Sequence, residues 1–486
     1  MAYEKKLLSP MFSSIRRINN MENVVVEGLD CLPAMNSLQK DSRRLVLKFE
    51  AVLDKSIDDL SRSFSLGDIV LKDKDESFGI SNFQAFFMGY DMMNFEPQTF
   101  SIAISSLKSK GYNSDQCYFF RMAIPVERNF WIHEIHSYGI ETDLGFYGSL
   151  LIPKYPKGEV HIYTVTDKVV EQQYMVIEPQ YKVTEQELFD IQYSAAMAMG
   201  LITGVATFGE AYVLASEDLN FAKIKGCSYI SMRESIKSQY HTFTTNMYSI
   251  LMSLNIGTYN KYAIQQISED GKTPNRGIVN WLEEPDYSPI FSKLYQYPEF
   301  ARAAMILIDG TDKALDYQAA MYSVALETIC TKLKSIYEMT FDGIIEKSVW
   351  TRTRKALVRM IKEKFSDAGI NKKITDRFEN GVNYLNNLSN SEKFRLTIDK
   401  TGLELSDLDL KVIDQRNRLL HGDLVEQTSE DSNPFDDMYF YSLALFTLCA
   451  RILFKFFGYN GYIINNPVLM DRKPACDAQE PVLLKL

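Results

Sequence analysis

Apolar and polar positions follow two different rhythms along the chain. Up to about residue 180 the pattern is short and close to period two. Leu45 to Leu53 alternates in its first half, and Thr99–Ile104, Cys117–Met122 and His161–Val165 carry the β-branched and aromatic content of strands. A turn signal such as Lys154-Tyr-Pro-Lys-Gly158 separates neighbours. Repeated short strands of this kind predict a sandwich or barrel-like domain. Thr184 to about Leu201 then predicts a helix, with Thr184 as N-cap and Glu187 completing a capping box. The stretch to about residue 310 is mixed, and a helical segment near Ser288–Ile308 leads out of it.

From Ala314 onward the periodicity is helical. The predicted helices are Ala314–Tyr337, Ile344–Phe365, a shorter one near Thr375–Leu388, Ser406–His421 and Phe435–Phe457. In the fourth of these, Leu408, Val412, Ile413, Leu419 and Leu420 form the apolar stripe. Ser406 or Asp407 can cap its start, and Gly422 stands where a C′ glycine would stop it. The predicted fold class is therefore α+β and multidomain. A β-rich sensing or regulatory domain spans 1–180, a mixed α/β connecting region 181–310, an all-α helical bundle 311–465 and a tail 466–486.

Composition narrows the classes. A chain of 486 residues with 46% hydrophobic content can build a real core in two or three domains. The net charge of −10 argues against a constitutive nucleic-acid coat, though not against one local basic patch. Six cysteines stand at 31, 117, 227, 330, 449 and 476 with no C-x-x-C pair, which favours reduced thiols over disulfides or a zinc site. Met438–Phe457 has the length of a membrane span. Arg451 and Lys455 interrupt it, so it reads as a buried bundle helix, and no membrane partner is expected. Met1-Ala-Tyr-Glu-Lys-Lys leads into no signal-type apolar core, and a cytoplasmic location is expected.

The chemistry concentrates in Arg416-Asn417-Arg418-Leu419-Leu420-His421-Gly422. On a helix Asn417 and His421 lie one above the other, with Arg416 about 100° round the axis. Histidine moves protons near neutral pH, and arginine clamps phosphate oxygens. The set predicts phosphodiester cleavage without a metal or other cofactor. Arg-Asn-x-x-x-His-Gly resembles the Arg-x(4–6)-His signature of HEPN domains, helical bundles found in many prokaryotic ribonucleases. Ala325-Leu326-Glu327-Thr328-Ile329 lies where such domains often carry an acidic residue, and Gly458-Tyr459-Asn460-Gly461-Tyr462 is similar to the tail of the Apea-like subgroup.

That resemblance, which covers about the last third of the chain, implies a metal-independent endoribonuclease of abortive-infection defence. In it the RNA's own 2′-hydroxyl attacks, His421 acts as acid or base, Arg416 clamps phosphate, and Asn417 orients His421 or donates to a phosphate oxygen. It implies RNA as partner, transfer RNA among the candidates, and a phage-derived trigger. One motif per chain implies a homodimer through the HEPN domain. Glu327 has two readings, raising the pKa of His421 or pairing with a lysine on its own helix. From Ile344 to Arg377, ten basic residues face four acidic ones, a local +6. Arg352, Arg354, Lys355, Arg359 and Lys362 are the candidate RNA contacts, against the plainer reading of a solvated helix face. The rival reading of the whole is a non-catalytic HEPN docking or RNA-binding module. His133-Glu134-Ile135-His136 lacks the H-E-x-x-H spacing, and Gly200–Gly209 lacks a phosphate-loop lysine, so neither carries a site.

Overall fold

A computed structural model describes residues 2–27, 36–41, 44–51, 69–73, 76–80, 85–90, 98–111, 113–126, 135–240, 282–421, 425, 433–470, 481 and 483–486. The chain is mixed α+β, with strands concentrated towards the N-terminus and helices towards the C-terminus. It forms two compact units. One takes Met1–Lys313 with Phe457–Arg472 and Pro481–Lys485, and the other takes Ala314–Phe456 with Lys473–Glu480 and Leu486.

In the first unit an antiparallel sheet of ten strands runs in the order 154–155, 158–167, 172–179, 119–126, 210–216, 224–231, 106–109, 76–80, 69–73 and 25–27. A second antiparallel sheet holds 20–21, 37–41, 44–51, 98–104 and 85–90. Strands 210–216 and 224–231 sit inside the larger sheet, so the stretch expected as a connecting region shares its core with the N-terminal strands. Strands 158–167 and 172–179 are buried at nearly consecutive positions, the signature of coverage on both faces.

Helix α1 (Ser9–Asn19) interrupts the β-rich stretch and was not expected there. Met11, Phe12, Ile15 and Ile18 give it one apolar face, and they join a core that draws on both sheets. Its polar face is tied down as well. Arg16 donates to Asp167 at 3.0 Å, and Arg17 donates to Asp73 at 2.7 Å and to Glu76 at 3.0 Å. The strand before it, Ala2–Lys6, pairs in parallel with Tyr138–Thr142. Under it lies a buried ionic cluster. Glu178 accepts from Lys6 Nζ at 2.7 Å, Arg121 Nε at 2.7 Å and the Tyr163 hydroxyl at 2.8 Å. Burial by itself would raise the Glu178 carboxyl, but the Arg121 and Lys6 cations outweigh it and hold it at about 2.

Helix α2 (Glu185–Thr203) begins with the expected capping box. Glu187 N donates to Thr184 Oγ1 and Thr184 N to Glu187 Oε2, each at 3.2 Å, and Gly204 ends the helix at φ 77°. The single helix expected near Ser288–Ile308 is two, α3 (Glu284–Gln296) and α4 (Pro298–Gly310). Pro298 is the cause, since it pushes Tyr297 out of the helical region to φ −129°, ψ 86°.

The second unit is helical: α5 (Leu315–Ile336), α6 (Lys347–Asp367), α7 (Lys372–Tyr384), α8 (Asn390–Asp399), α9 (Asp407–His421) and α10 (Pro434–Phe457). Helix α8 was not expected, although Ser389 and Glu392 form a full capping box at its start. Helix α10 is the one described helix long and apolar enough to cross a membrane, and 83% of its most apolar window is buried in the fold. It is a core helix. The short α11 (Asn466–Met470) and the strand pair 462–464 with 483–485 belong to the first unit, as does Gly458–Tyr462.

Candidate functional site

The motif helix α9 is fixed at both ends of its buried face. Ser406 caps it, donating its N–H to Asp409 Oδ2 at 2.8 Å while its hydroxyl accepts from Asp409 N at 3.2 Å. The same Asp409 pairs with Arg451 of α10, whose Nη2 also donates to the Glu404 carbonyl at 2.8 Å. Arg451, which looked like an interruption in an apolar helix, is therefore a buried bolt between α9 and α10. Further along, Val412, Ile413 and Leu419 are buried, and the Ser323 hydroxyl of α5 donates to the Arg416 carbonyl at 3.4 Å.

Arg416 is 4% exposed. Its Nη2 is held by Glu327 of α5, and its Nη1 donates to Asn417 Oδ1 at 3.0 Å. Its Cζ lies 5.3 Å from the centroid of the Phe394 ring of α8, within cation–π range. The Nε hydrogen is buried without a partner. Three helices thus converge on one guanidinium. Asn417 and His421 are exposed, and His421 is the last residue of α9. Glu327 matches neither expectation for it, because its carboxylate meets Arg416 rather than His421 or a lysine of its own helix. Its side chain keeps 55% of its exposure, so the pair sits at the rim of the unit.

Chemically, the arrangement offers one oriented cation whose two terminal nitrogens are engaged, and one exposed imidazole a turn further on. A phosphate oxygen can reach Arg416 Nη2 only in exchange for the Glu327 carboxylate. Cys330 and Cys449 lie buried in the same unit, with burial pushing both thiols far above their usual range. They are not nucleophiles there. Among the described residues no group of three or more His, Cys, Asp or Glu side chains could hold a metal ion. His133, Glu134, His241, Cys31, Cys476 and Gly422 lie outside the described residues.

The candidate RNA contacts occupy a different part of the unit. Helices α6 and α7 pack on each other as a hairpin, and α6 has no buried residue at all. Arg352, Lys355, Arg359 and Lys362 are exposed along α6, while Arg354 turns inward and donates to Asn383 of α7 at 3.2 Å. Phe365 and Phe378 meet edge to face at 5.0 Å. The hairpin's base is clasped by Asn386, whose Oδ1 accepts from Ile345 N at 2.6 Å and whose Nδ2 donates to Ile345 O at 3.0 Å. Sequence reasoning passed over Phe394, Ser323 and Asn386. Only Phe394 had a local signal, the capping box that opens α8.

Comparison of the chain with protein-family models, with characterised proteins and with solved structures finds no match in any of the three. The likeness to HEPN domains therefore rests on the motif residues themselves.

Proposed function

We propose that the helical unit is an RNA-cleaving module of the HEPN type, working in the cytoplasm as an effector of abortive-infection defence. The observation that supports this most is the single turn of α9 carrying an anchored Arg416, an exposed Asn417 and an exposed His421. In the reaction the 2′-hydroxyl oxygen of the RNA attacks the adjacent phosphorus. A P–O2′ bond forms, the P–O5′ bond breaks, and the 5′ oxygen leaves with a proton, giving a 2′,3′-cyclic phosphate. His421 moves a proton in that exchange, and Arg416 meets the charge that builds on the phosphorane once Glu327 has released it. DNA lacks the attacking hydroxyl, so the chemistry selects RNA. One Arg–His set per chain favours a working homodimer through this unit, with the β-rich unit restraining it until a phage-derived signal arrives.

A second reading has its own support. A buried arginine with both terminal nitrogens engaged is also what a purely architectural residue looks like, and it would suit a non-catalytic docking module.

Exposure decides which variant separates the two. His421→Ala removes an exposed side chain and leaves the fold intact, so its melting temperature stays at the wild-type value. On induced expression, wild type should arrest growth or protect against phage and leave RNA fragments, and His421→Ala should do neither. A folded His421→Ala protein that still cuts RNA would remove this motif from the chemistry, and wild type that arrests growth without cutting RNA would sink the nuclease reading and leave the docking module. Arg416→Ala alone cannot discriminate, because it also empties a buried site.

A further inference from the structure

The α6–α7 hairpin has two chemically opposite sides. On one side a groove of about 710 Å³ runs between the helices, where Lys355, Arg359 and Lys362 of α6 and Asn380 and Asn383 of α7 stand together with two carboxylates, Glu363 and Glu379. Arg352 extends the same stripe, since 352, 355, 359 and 362 are spaced three, four and three apart and share one helix face. Turned away from it stand Met360 of α6 and Ile374 of α7, both exposed, with Leu385 exposed just past the end of α7. Lys355, Arg359 and Lys362 lie about 140°, 100° and 160° from Met360 round the α6 axis, and Arg352, about 80° from it, forms the edge of the stripe.

We propose that the cationic side of this hairpin is a holding site for the phosphate backbone of single-stranded RNA, separate from the cleaving residues. The identity of the polyanion rests on the RNA-cleavage reading above; the existence of the site rests on charge and shape. The hairpin from Ile344 to Asn386 carries ten basic and five acidic residues, a local +5 on a chain of net −10 that leaves about −15 on the remainder, so a polyanion is drawn to this hairpin and repelled elsewhere. Arg352 to Lys362 spans about 15 Å of helix. That length lets the four cations meet successive phosphates of one strand.

The cations are also available. Among the described residues Arg352 and Lys355 form no ion pair, and the pairs Arg359–Glu363 at 2.9 Å and Lys362–Glu379 at 3.2 Å are surface contacts that exchange readily for phosphate. The amides of Asn380 and Asn383 add donors and acceptors that do not depend on base identity. The site therefore holds RNA without reading its sequence.

The test measures binding by full-length His421→Ala protein, so that cleavage does not intrude. The probe is a short fluorescein-labelled single-stranded RNA of mixed sequence, followed by anisotropy across a salt series. Arg352→Gln, Lys355→Gln, Arg359→Gln and Lys362→Gln together should weaken binding at least about tenfold and lower the log–log salt slope by about three. Met360→Ser with Ile374→Ser, on the opposite side, should change neither quantity. Arg352→Lys with Arg359→Lys should bind like the parent, because charge rather than fork geometry is being read. Circular dichroism checks that each variant keeps its helices.

Equal RNA affinity in the folded four-residue variant overturns the inference. So does a chain that ignores RNA and instead sediments with phosphatidylglycerol vesicles in a way that depends on Met360 and Ile374. RNA held at the hairpin but left uncut by wild type would sink the cleavage reading alone. Cutting whose KM is indifferent to the four substitutions would sink the hairpin site alone.

Discussion

Glu327 is where a single residue's role depends most on its partner. Its carboxylate neutralises a guanidinium that is almost completely buried, yet half of its own surface faces solvent. Glu327→Gln keeps the shape and an acceptor oxygen but leaves Arg416 without a counter-charge. Breaking a fully buried pair costs roughly 3–5 kcal/mol, and solvent screening at this rim reduces that to about 1–2 kcal/mol. A melting experiment should therefore find a modest loss of stability. Activity should move the other way. On the proposed RNA-cleavage reading, if Glu327 competes with phosphate for Arg416, the folded Glu327→Gln protein should cut RNA faster than wild type. Complete loss of cutting in that variant would instead make Glu327 an acid–base participant. The motif itself was legible because it is contiguous. Its counter-ion 89 positions away and its ring 22 positions away were not, since nothing in a linear chain says which of many acids and aromatics a given arginine will meet.

Among the elements, the helices of the second unit were read well because each announces itself locally through period and cap. Helix α8 carried the same announcement at Ser389 and Glu392, but ten residues is too short a span for periodicity to stand out. Helix α1 has helical spacing at Met11, Phe12, Ile15 and Ile18, with Pro10 in its first turn, and was hidden by the strands around it. The hairpin α6–α7 depends on a close approach that no period reveals. A Cβ added to Gly343 would come within 1.9 Å of Asn386 Nδ2 and 2.9 Å of the Asn386 carbonyl. Gly343→Ala should cost about 1–3 kcal/mol by that overpacking and release the Asn386 clasp. Hydrogen exchange should rise at Ile344 and Ile345, whose amides donate to Asn386, while α9 and α10 stay protected. Protection unchanged at those two amides would show that the base of the hairpin is held by something else.

For the molecule as a whole, the buried ionic cluster of the first unit sets a pH dependence. His161 lies across the strand pair from Glu178, and burial together with the Lys6 ammonium depresses it to about 4. The unfolded chain binds a proton on His161 near pH 6.5, so between about 6.5 and 4 the unfolded state holds more protons than the folded one. Stability should fall by roughly 3 kcal/mol across that window as pH drops. Glu178 adds a second loss lower down, since its carboxyl is depressed to about 2 and its contribution fades from the ordinary carboxylate range downward. Urea midpoints measured between pH 7 and 4 should show the first slope, and His161→Phe should flatten it. A slope untouched by that substitution would assign the titration to another group.

Local chemistry by itself determined the class of most elements, the capped start of α2, the core character of α10 and the one turn of α9 on which Arg416, Asn417 and His421 stand together. Each of these is decided within about a dozen residues by period, capping and charge. Tertiary structure decided the rest. It put strands 210–216 and 224–231 into the sheet of the N-terminal strands, split one expected helix at Pro298, made Arg451 the partner of Asp409, and gave Arg416 to Glu327. Pairings of that kind bring together residues tens to a hundred positions apart. Their choice depends on which burial leaves no charge unpaired, a property of the whole packing and not of any stretch of chain.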